Sequence, residues 1–212
     1  MNKIILNVAL KTIAVVISII ILTLSVLTMF TPLTLADLNK KLGNNTLAAS
    51  FTIIEYNRNK DINDLSEIIE LSILEERYSR ILKYSELLIN HSKFEEFCAF
   101  KDSRGNTNIY ASYKQFIYGW NITAFYYKGQ KELAFERAKS ILPSDYCQNN
   151  ALQYLIIAVD NNYDKALAQE ILVYLQQISS DILGGGEGGE LQEQIAARLS
   201  VDINILETII ER

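Results

Sequence analysis

Few residues of this chain have the types and spacing that catalysis requires. Its 212 residues include one histidine, His91, and two cysteines, Cys98 and Cys147. A serine or cysteine hydrolase needs a base beside its nucleophile, and His91 lies at a predicted helix end, where we interpret it as a cap or surface residue. The cysteines are too far apart for a CxxC redox or zinc pattern. The sequence therefore predicts no catalytic, cofactor-binding or metal-binding residue, and we expect the protein not to be an enzyme.

The carboxylates do not indicate an acid–base pair either. Glu75 with Glu76, and Glu95 with Glu96, are adjacent in sequence and therefore point to different sides of a helix. Catalytic carboxylates can also come from distant segments, as in glycoside hydrolysis. An envelope hydrolase of that kind stays open as an alternative, although no residue marks it.

A run of aromatic residues gives the best indication of function. Eight aromatic side chains lie within residues 110–127, too many for one helix face to cover. Tyr110, Tyr118 and Tyr126 lie off the face that contains Trp120, and we predict that they line a groove for a partner helix or peptide, since Tyr is favoured at binding hot spots. Packing against neighbouring helices is the alternative.

An uncharged segment near the N-terminus predicts a membrane anchor. Residues 12–30 contain no charge, glycine or proline. As a helix with a rise of about 1.5 Å per residue, they nearly span the roughly 30 Å hydrocarbon core of a bilayer. A removed signal peptide is the alternative, but its apolar region is usually shorter. We therefore predict an uncleaved signal anchor and a single-pass membrane protein.

The orientation of that anchor is less strongly encoded. Lys3 and Lys11 precede the span and Lys40 and Lys41 follow it, so the positive-inside rule is nearly balanced. The short N-terminal tail favours an extracytoplasmic location for the rest of the chain. In that location Cys98 and Cys147 can form a disulfide, the alternative being two buried free thiols.

The rest of the chain has helical periodicity and predicts an all-α fold of antiparallel helical hairpins. We expect helices near residues 47–56, 63–74, 78–89, 94–100, 113–127, 132–142, 152–159 and 166–178, with a loop at 101–108. No strand pattern competes, and the chain has two prolines.

Residues 111–179 resemble tetratricopeptide repeats. Trp120, the Tyr126-Tyr127 pair, Gly129, Ala134 and Pro143 correspond to the Trp, Tyr, turn Gly, small Ala and terminating Pro of that family. A second unit has Tyr163, Asp164 and Ala166, and the two units lie 32 residues apart, close to the family's 34. The resemblance implies a helical solenoid that binds proteins or peptides; an unrelated helical bundle is the alternative.

The C-terminal end is predicted to be a linker followed by a helical pair. Residues 184–190 read GGGEGGE, and without a Lys and Ser/Thr they do not match a phosphate-binding loop. Residues 191–212 predict two short helices joined near Ser200 to Asp202, as in a helix-turn-helix. However, acidic residues predominate there and in the chain as a whole, whose net charge is −5, and this disfavours nucleic acid.

These observations predict four segments: a membrane anchor (1–36), a helical repeat-like domain (37–183), a linker (184–190) and a helical pair (191–212). We expect a membrane-anchored scaffold or adaptor of the cell envelope that binds a protein or peptide, with no cofactor. A membrane-tethered regulator using the C-terminal helices is a further alternative, and it requires a cytoplasmic domain.

Overall fold

A computed structural model describes residues 2–104, 112–141, 150–183 and 190–212. Over these ranges the chain is entirely helical and contains no strand, which confirms the predicted all-α class. The helices are α1 (Asn2–Phe30), α2 (Pro32–Lys41), α3 (Asn45–Asn59), α4 (Ile62–Leu74), α5 (Tyr78–Ile89), α6 (Phe94–Ser103), α7 (Tyr113–Tyr127), α8 (Lys131–Ile141), α9 (Ala151–Asn161), α10 (Lys165–Leu183) and α11 (Glu190–Glu211).

Helix α1 is long and apolar enough to cross a membrane. Its apolar part, Val8–Phe30, has 23 residues and none of it is buried. The hydroxyl groups within it donate to carbonyl oxygens one turn earlier, as Ser18 does to Ala14 and Thr23 does to Ile19. Internal hydrogen bonding of this kind is what a hydrocarbon environment requires.

The chain forms two compact units, Met1–Glu75 and Glu76–Arg212. This division differs from the predicted domains, because α4 ends one unit and the C-terminal helix belongs to the other. In the first unit, α3 packs against α2 and α4. Asn44 caps α3 and Asp61 caps α4, each through its side chain, as expected of such residues at helix starts.

In the second unit, helix α7 is the centre of the fold. Helices α5, α6, α8 and α9 all pack against it, and buried residues occur around its whole circumference, including Ile117, Asn121 and Ile122. α5 runs antiparallel to α7, since Tyr78 stacks on Tyr127 at one end and Ser85 contacts Asn121 further along.

Helices α7, α9 and α11 run parallel to one another. The contacts that fix these directions are Gln115 with Ala151 and Tyr127 with Asn162 between α7 and α9, and Gln153 with Asp202 and Asp160 with Arg212 between α9 and α11. Helices α8 and α10 lie between them in the chain and share the same hydrophobic core.

The predicted C-terminal helical pair is wrong, because α11 is a single helix from Glu190 to Glu211. No glycine or proline interrupts it. Asp202, at the predicted turn, is 1% exposed and pairs with Arg198 one turn earlier at 3.0 Å. Leu199 and Leu206 lie in the core, so α11 belongs to the second unit and has no recognition helix of the predicted kind. The linker residues 184–189 lie outside the described residues.

Candidate functional site

An open groove lies on the surface formed by α7, α9 and the residue preceding and beginning α5. Its volume is about 290 Å³. The lining side chains are Glu76, Tyr78, Trp120, Thr123, Tyr127, Tyr154, Ile157, Ala158 and Asn161.

Close approach of two helices sets the floor of this groove. Gly119 of α7 has no side chain, and a Cβ placed there would lie 2.4 Å from Cδ2 of Tyr154 on α9. The backbone N–H of Ala151 donates to Oε1 of Gln115 at 2.9 Å, so the first turn of α9 is fixed to α7. Glycine at a crossing point lets backbones approach closely.

The aromatic side chains of the groove pack in two pairs. The rings of Tyr78 and Tyr127 stack with centroids 4.4 Å apart and an angle of 16° between their planes. Trp120 meets Tyr154 edge to face at 5.9 Å. Burial raises the pKa of Tyr78, and the negative charge of Glu76 adds to the effect. The rings are therefore held in place by each other and remain neutral.

Two side chains of the groove are exposed to solvent and available for contact. Ile157 is 59% exposed and Tyr127 is 37% exposed. Tyr127 also lines two neighbouring depressions, one next to Arg80 and one next to Asp164. Its hydroxyl accepts a hydrogen bond from Asn162 Nδ2 at 3.3 Å. Tyr127 is thus the residue that the three depressions share.

A charged cluster supports the end of α7 next to the groove. Asp164 Oδ2 pairs with Lys131 Nζ at 2.6 Å and accepts from the hydroxyl of Tyr126 at 3.3 Å. Burial acts to raise the pKa of Asp164, but the bonds from Lys131, the Leu167 backbone and Tyr126 together lower it. Burial, and then the charge of Asp164, raise the pKa of Tyr126. The cluster is an ion pair with a neutral phenol.

A second polar cluster joins three helices. Nδ2 of the fully buried Asn121 donates to Ser85 Oγ and to Glu86 Oε1, each at 2.8 Å. Arg137 Nη2 of α8 donates to the same Glu86 oxygen at 2.9 Å. Every partner lies on α5, α7 or α8, so this cluster orients helices and has no free surface for a substrate.

The predicted groove residues occupy different environments. Tyr118 is half-buried and meets Phe94 edge to face at 6.0 Å. Tyr126 is 5% exposed and belongs to the core. Tyr110 lies outside the described residues. The groove that the structure contains is instead built around Trp120 and Tyr127, which the sequence placed on the core-facing side.

The other predicted residues have structural positions. Cys98 is buried, and burial, with the charges of Glu95 and Asp102, raises the pKa of its thiol to about 12. Cys147 lies outside the described residues, so the disulfide stays a prediction. His91 Nδ1 accepts from the backbone N–H of Lys93 at 3.1 Å, which is a local capping contact. Within the described ranges, His, Cys, Asp and Glu side chains form no group of three that could hold a metal ion.

Sequence reasoning missed Tyr78, Tyr154 and Ile157, which come from helices distant in sequence. The one available signal was Gly119, since glycine inside a helical pattern indicates close packing by another element.

A regular spacing of helices accompanies the groove. Helices α7 and α9 end at Tyr127 and Asn161, and α8 and α10 begin at Lys131 and Lys165. Each pair is 34 residues apart, the length of a tetratricopeptide repeat. The small residue of the second unit is Ala168, which is fully buried, whereas the predicted Ala166 is exposed.

Comparison with known proteins finds no match: no family model, no curated protein and no solved structure is similar to this chain.

Proposed function

We propose that this protein is a single-pass membrane protein whose helical part binds a protein or peptide partner in the groove between α7 and α9. The anchor is residues 12–30 of α1, and the groove lies on the extracytoplasmic side. Binding occurs by surface complementarity, without chemical conversion of the partner.

The groove's aromatic lining is the observation that supports this function. Trp120, Tyr127 and Tyr154 are held by mutual packing and lie beside the exposed Ile157. Binding loses little conformational entropy when aromatic side chains are already ordered, and Trp and Tyr are enriched among the residues that dominate binding energy. The 34-residue spacing of the helices supports the resemblance to tetratricopeptide proteins, which usually bind proteins or peptides.

Site-specific photo-cross-linking in intact cells tests the binding role. The photoreactive amino acid p-benzoylphenylalanine replaces Ile157 in the groove or, as the matched control, Val173 on α10, which is 55% exposed. We expect a discrete cross-linked adduct with another polypeptide from position 157, its loss with Trp120→Ala, and none from position 173. Equal adducts from both positions, or none from 157, would contradict the proposal.

A thiol-labelling experiment tests the orientation. Cys98 is too buried to report on it, so a cysteine is introduced at Leu133, which is 53% exposed, with Cys98 and Cys147 changed to serine. We expect a membrane-impermeant reagent to label this cysteine in intact cells. Labelling only after the membrane is broken would place the domain in the cytoplasm.

A further inference from the structure

A cluster of positive charge adjoins the aromatic groove. A depression of about 540 Å³ at the start of α5 and the end of α7 is lined by the basic residues Arg77, Arg80 and Lys128. It shares Tyr78 and Tyr127 with the groove. The stacked tyrosine pair is therefore a wall with an aromatic surface on one side and a basic surface on the other.

The three basic side chains have no partner within the described part of the chain. No ion pair or hydrogen bond of their side chains occurs there, and Nη1 of Arg80 is buried without an acceptor. The contrast with other arginines is clear, because four of them pair with carboxylates: Arg58, Arg137, Arg198 and Arg212.

The local charge is opposite to that of the chain. Glu76 is the one acidic residue that lines the depression, so its lining is positive although the chain has a net charge of −5. A buried guanidinium N–H without an acceptor is unfavourable, and planar guanidinium groups match carboxylates in geometry. The missing acceptor is thus expected to come from a ligand.

We propose that the partner segment is an acidic peptide, with an aromatic or aliphatic side chain in the groove against Trp120 and Ile157. Its Asp or Glu carboxylates accept hydrogen bonds from Arg77, Arg80 and Lys128 across the tyrosine pair. This inference rests on the proposed binding function and adds the chemistry of the partner.

Selection from a random 12-residue peptide display library, with the full-length chain in detergent micelles as the target, tests the inference. We expect the enriched peptides to combine an excess of Asp and Glu with a large apolar residue. Their binding should weaken at least tenfold with Arg77→Gln, Arg80→Gln and Lys128→Gln combined, and should fall as salt is added, since exposed charges are screened. The matched control neutralises three other exposed lysines, Lys83, Lys93 and Lys165, and should leave binding unchanged.

The outcomes separate this inference from the proposed function. Enriched peptides that lack acidic residues, or that are basic and use the tyrosine faces and Glu76, would overturn the acidic partner and leave the groove's function standing. Selection of the same peptides by a Tyr127→Ala variant, or no enrichment by the unaltered chain, would overturn both.

Discussion

Gly119 of α7 lies directly against the ring of Tyr154 on α9: a Cβ at position 119 would be 2.4 Å from Cδ2 and 2.5 Å from Cγ of that ring. Cγ is close to the backbone of Tyr154, so the ring cannot avoid the added methyl group by a small rotation. The separation of the two groove helices therefore depends on the absence of a side chain at one position.

Gly119→Ala is expected to lower the free energy of unfolding by about 1–2 kcal/mol. Alanine improves helix propensity by about 1 kcal/mol, but overpacking costs roughly 1–3 kcal/mol, and here the clash involves the base of a ring. Urea unfolding of the full chain in detergent, followed by circular dichroism, measures the change. In a double-mutant cycle, Tyr154→Ala should remove most of the penalty; additive effects would contradict the steric explanation.

Replacing Tyr163 by glycine is expected to stabilise the protein by about 0.5–1 kcal/mol. Tyr163 follows α9 with φ of +50°, and Gly129 has φ of +77° at the corresponding position 34 residues earlier. The left-handed conformation costs an L-residue about 1–2 kcal/mol, part of which glycine loses again through chain entropy.

The thermal unfolding midpoint checks this expectation. Tyr163→Ala is the control, because it removes the exposed ring but keeps the Cβ, and it should not stabilise. Gly129→Ala should destabilise. A lower midpoint for Tyr163→Gly than for the unaltered chain would show that the ring contributes more than the backbone strain.

Leu206→Ala is expected to lower the free energy of unfolding by about 2–5 kcal/mol, as for other buried leucines. Leu206 is fully buried in the core of the second unit, whereas its neighbour Ile205 is 37% exposed. Ile205→Ala is therefore a matched control and should change stability by less than about 1 kcal/mol. Equal effects at the two positions in urea unfolding would mean that α11 is not docked as described.

Asp164→Asn is expected to weaken the acid dependence of stability. The net effect of the bonds to Asp164 lowers its pKa below the ordinary value of 3.8, so the folded state favours the ionised form. The resulting stability is present above the unfolded pKa and is lost as the pH falls through the lower folded pKa.

Unfolding free energies measured between about pH 2 and pH 5 check this prediction. Asparagine retains helix capping, so the variant isolates the charge. Its profile should be flatter than that of the unaltered chain, while Glu136→Gln, which removes an exposed carboxylate paired with Lys139, should leave the profile nearly unchanged. Parallel profiles for Asp164→Asn and the unaltered chain would rule out this carboxylate as a source of acid sensitivity.

Helix positions were largely predictable from the sequence, because caps and breaks are local. The periodic stretch at residues 78–89 coincides with α5, and Asp61 caps α4 as expected. The turn predicted near residue 200 fails because Asp202 has a buried partner, Arg198, and a tertiary contact with Gln153. Local polarity indicated a turn there, whereas long-range pairing permits a continuous helix.

The groove was less predictable, because periodicity shows that a helix has an apolar stripe but not which neighbours cover it. Trp120 and Tyr127 lie on the stripe that was expected to face the core, whereas Tyr126, expected in the groove, is covered by α8 and α10. A helix packed on all sides, as α7 is, has no single buried face to detect. The partners Tyr78 and Tyr154 depend on tertiary contacts that no local pattern contains.

The burial of Asn121 also determines where this chain can be produced. Asn121, Ile122 and Thr123 form an Asn-x-Thr triplet, the acceptor for N-linked glycans in a eukaryotic secretory pathway. Because the Asn121 amide is enclosed by Ser85 and Glu86, a sugar attached during synthesis has no space in the folded unit. Asn121→Gln removes the acceptor, so production in such a pathway requires that change, whereas a host that does not glycosylate this triplet can fold the unaltered chain.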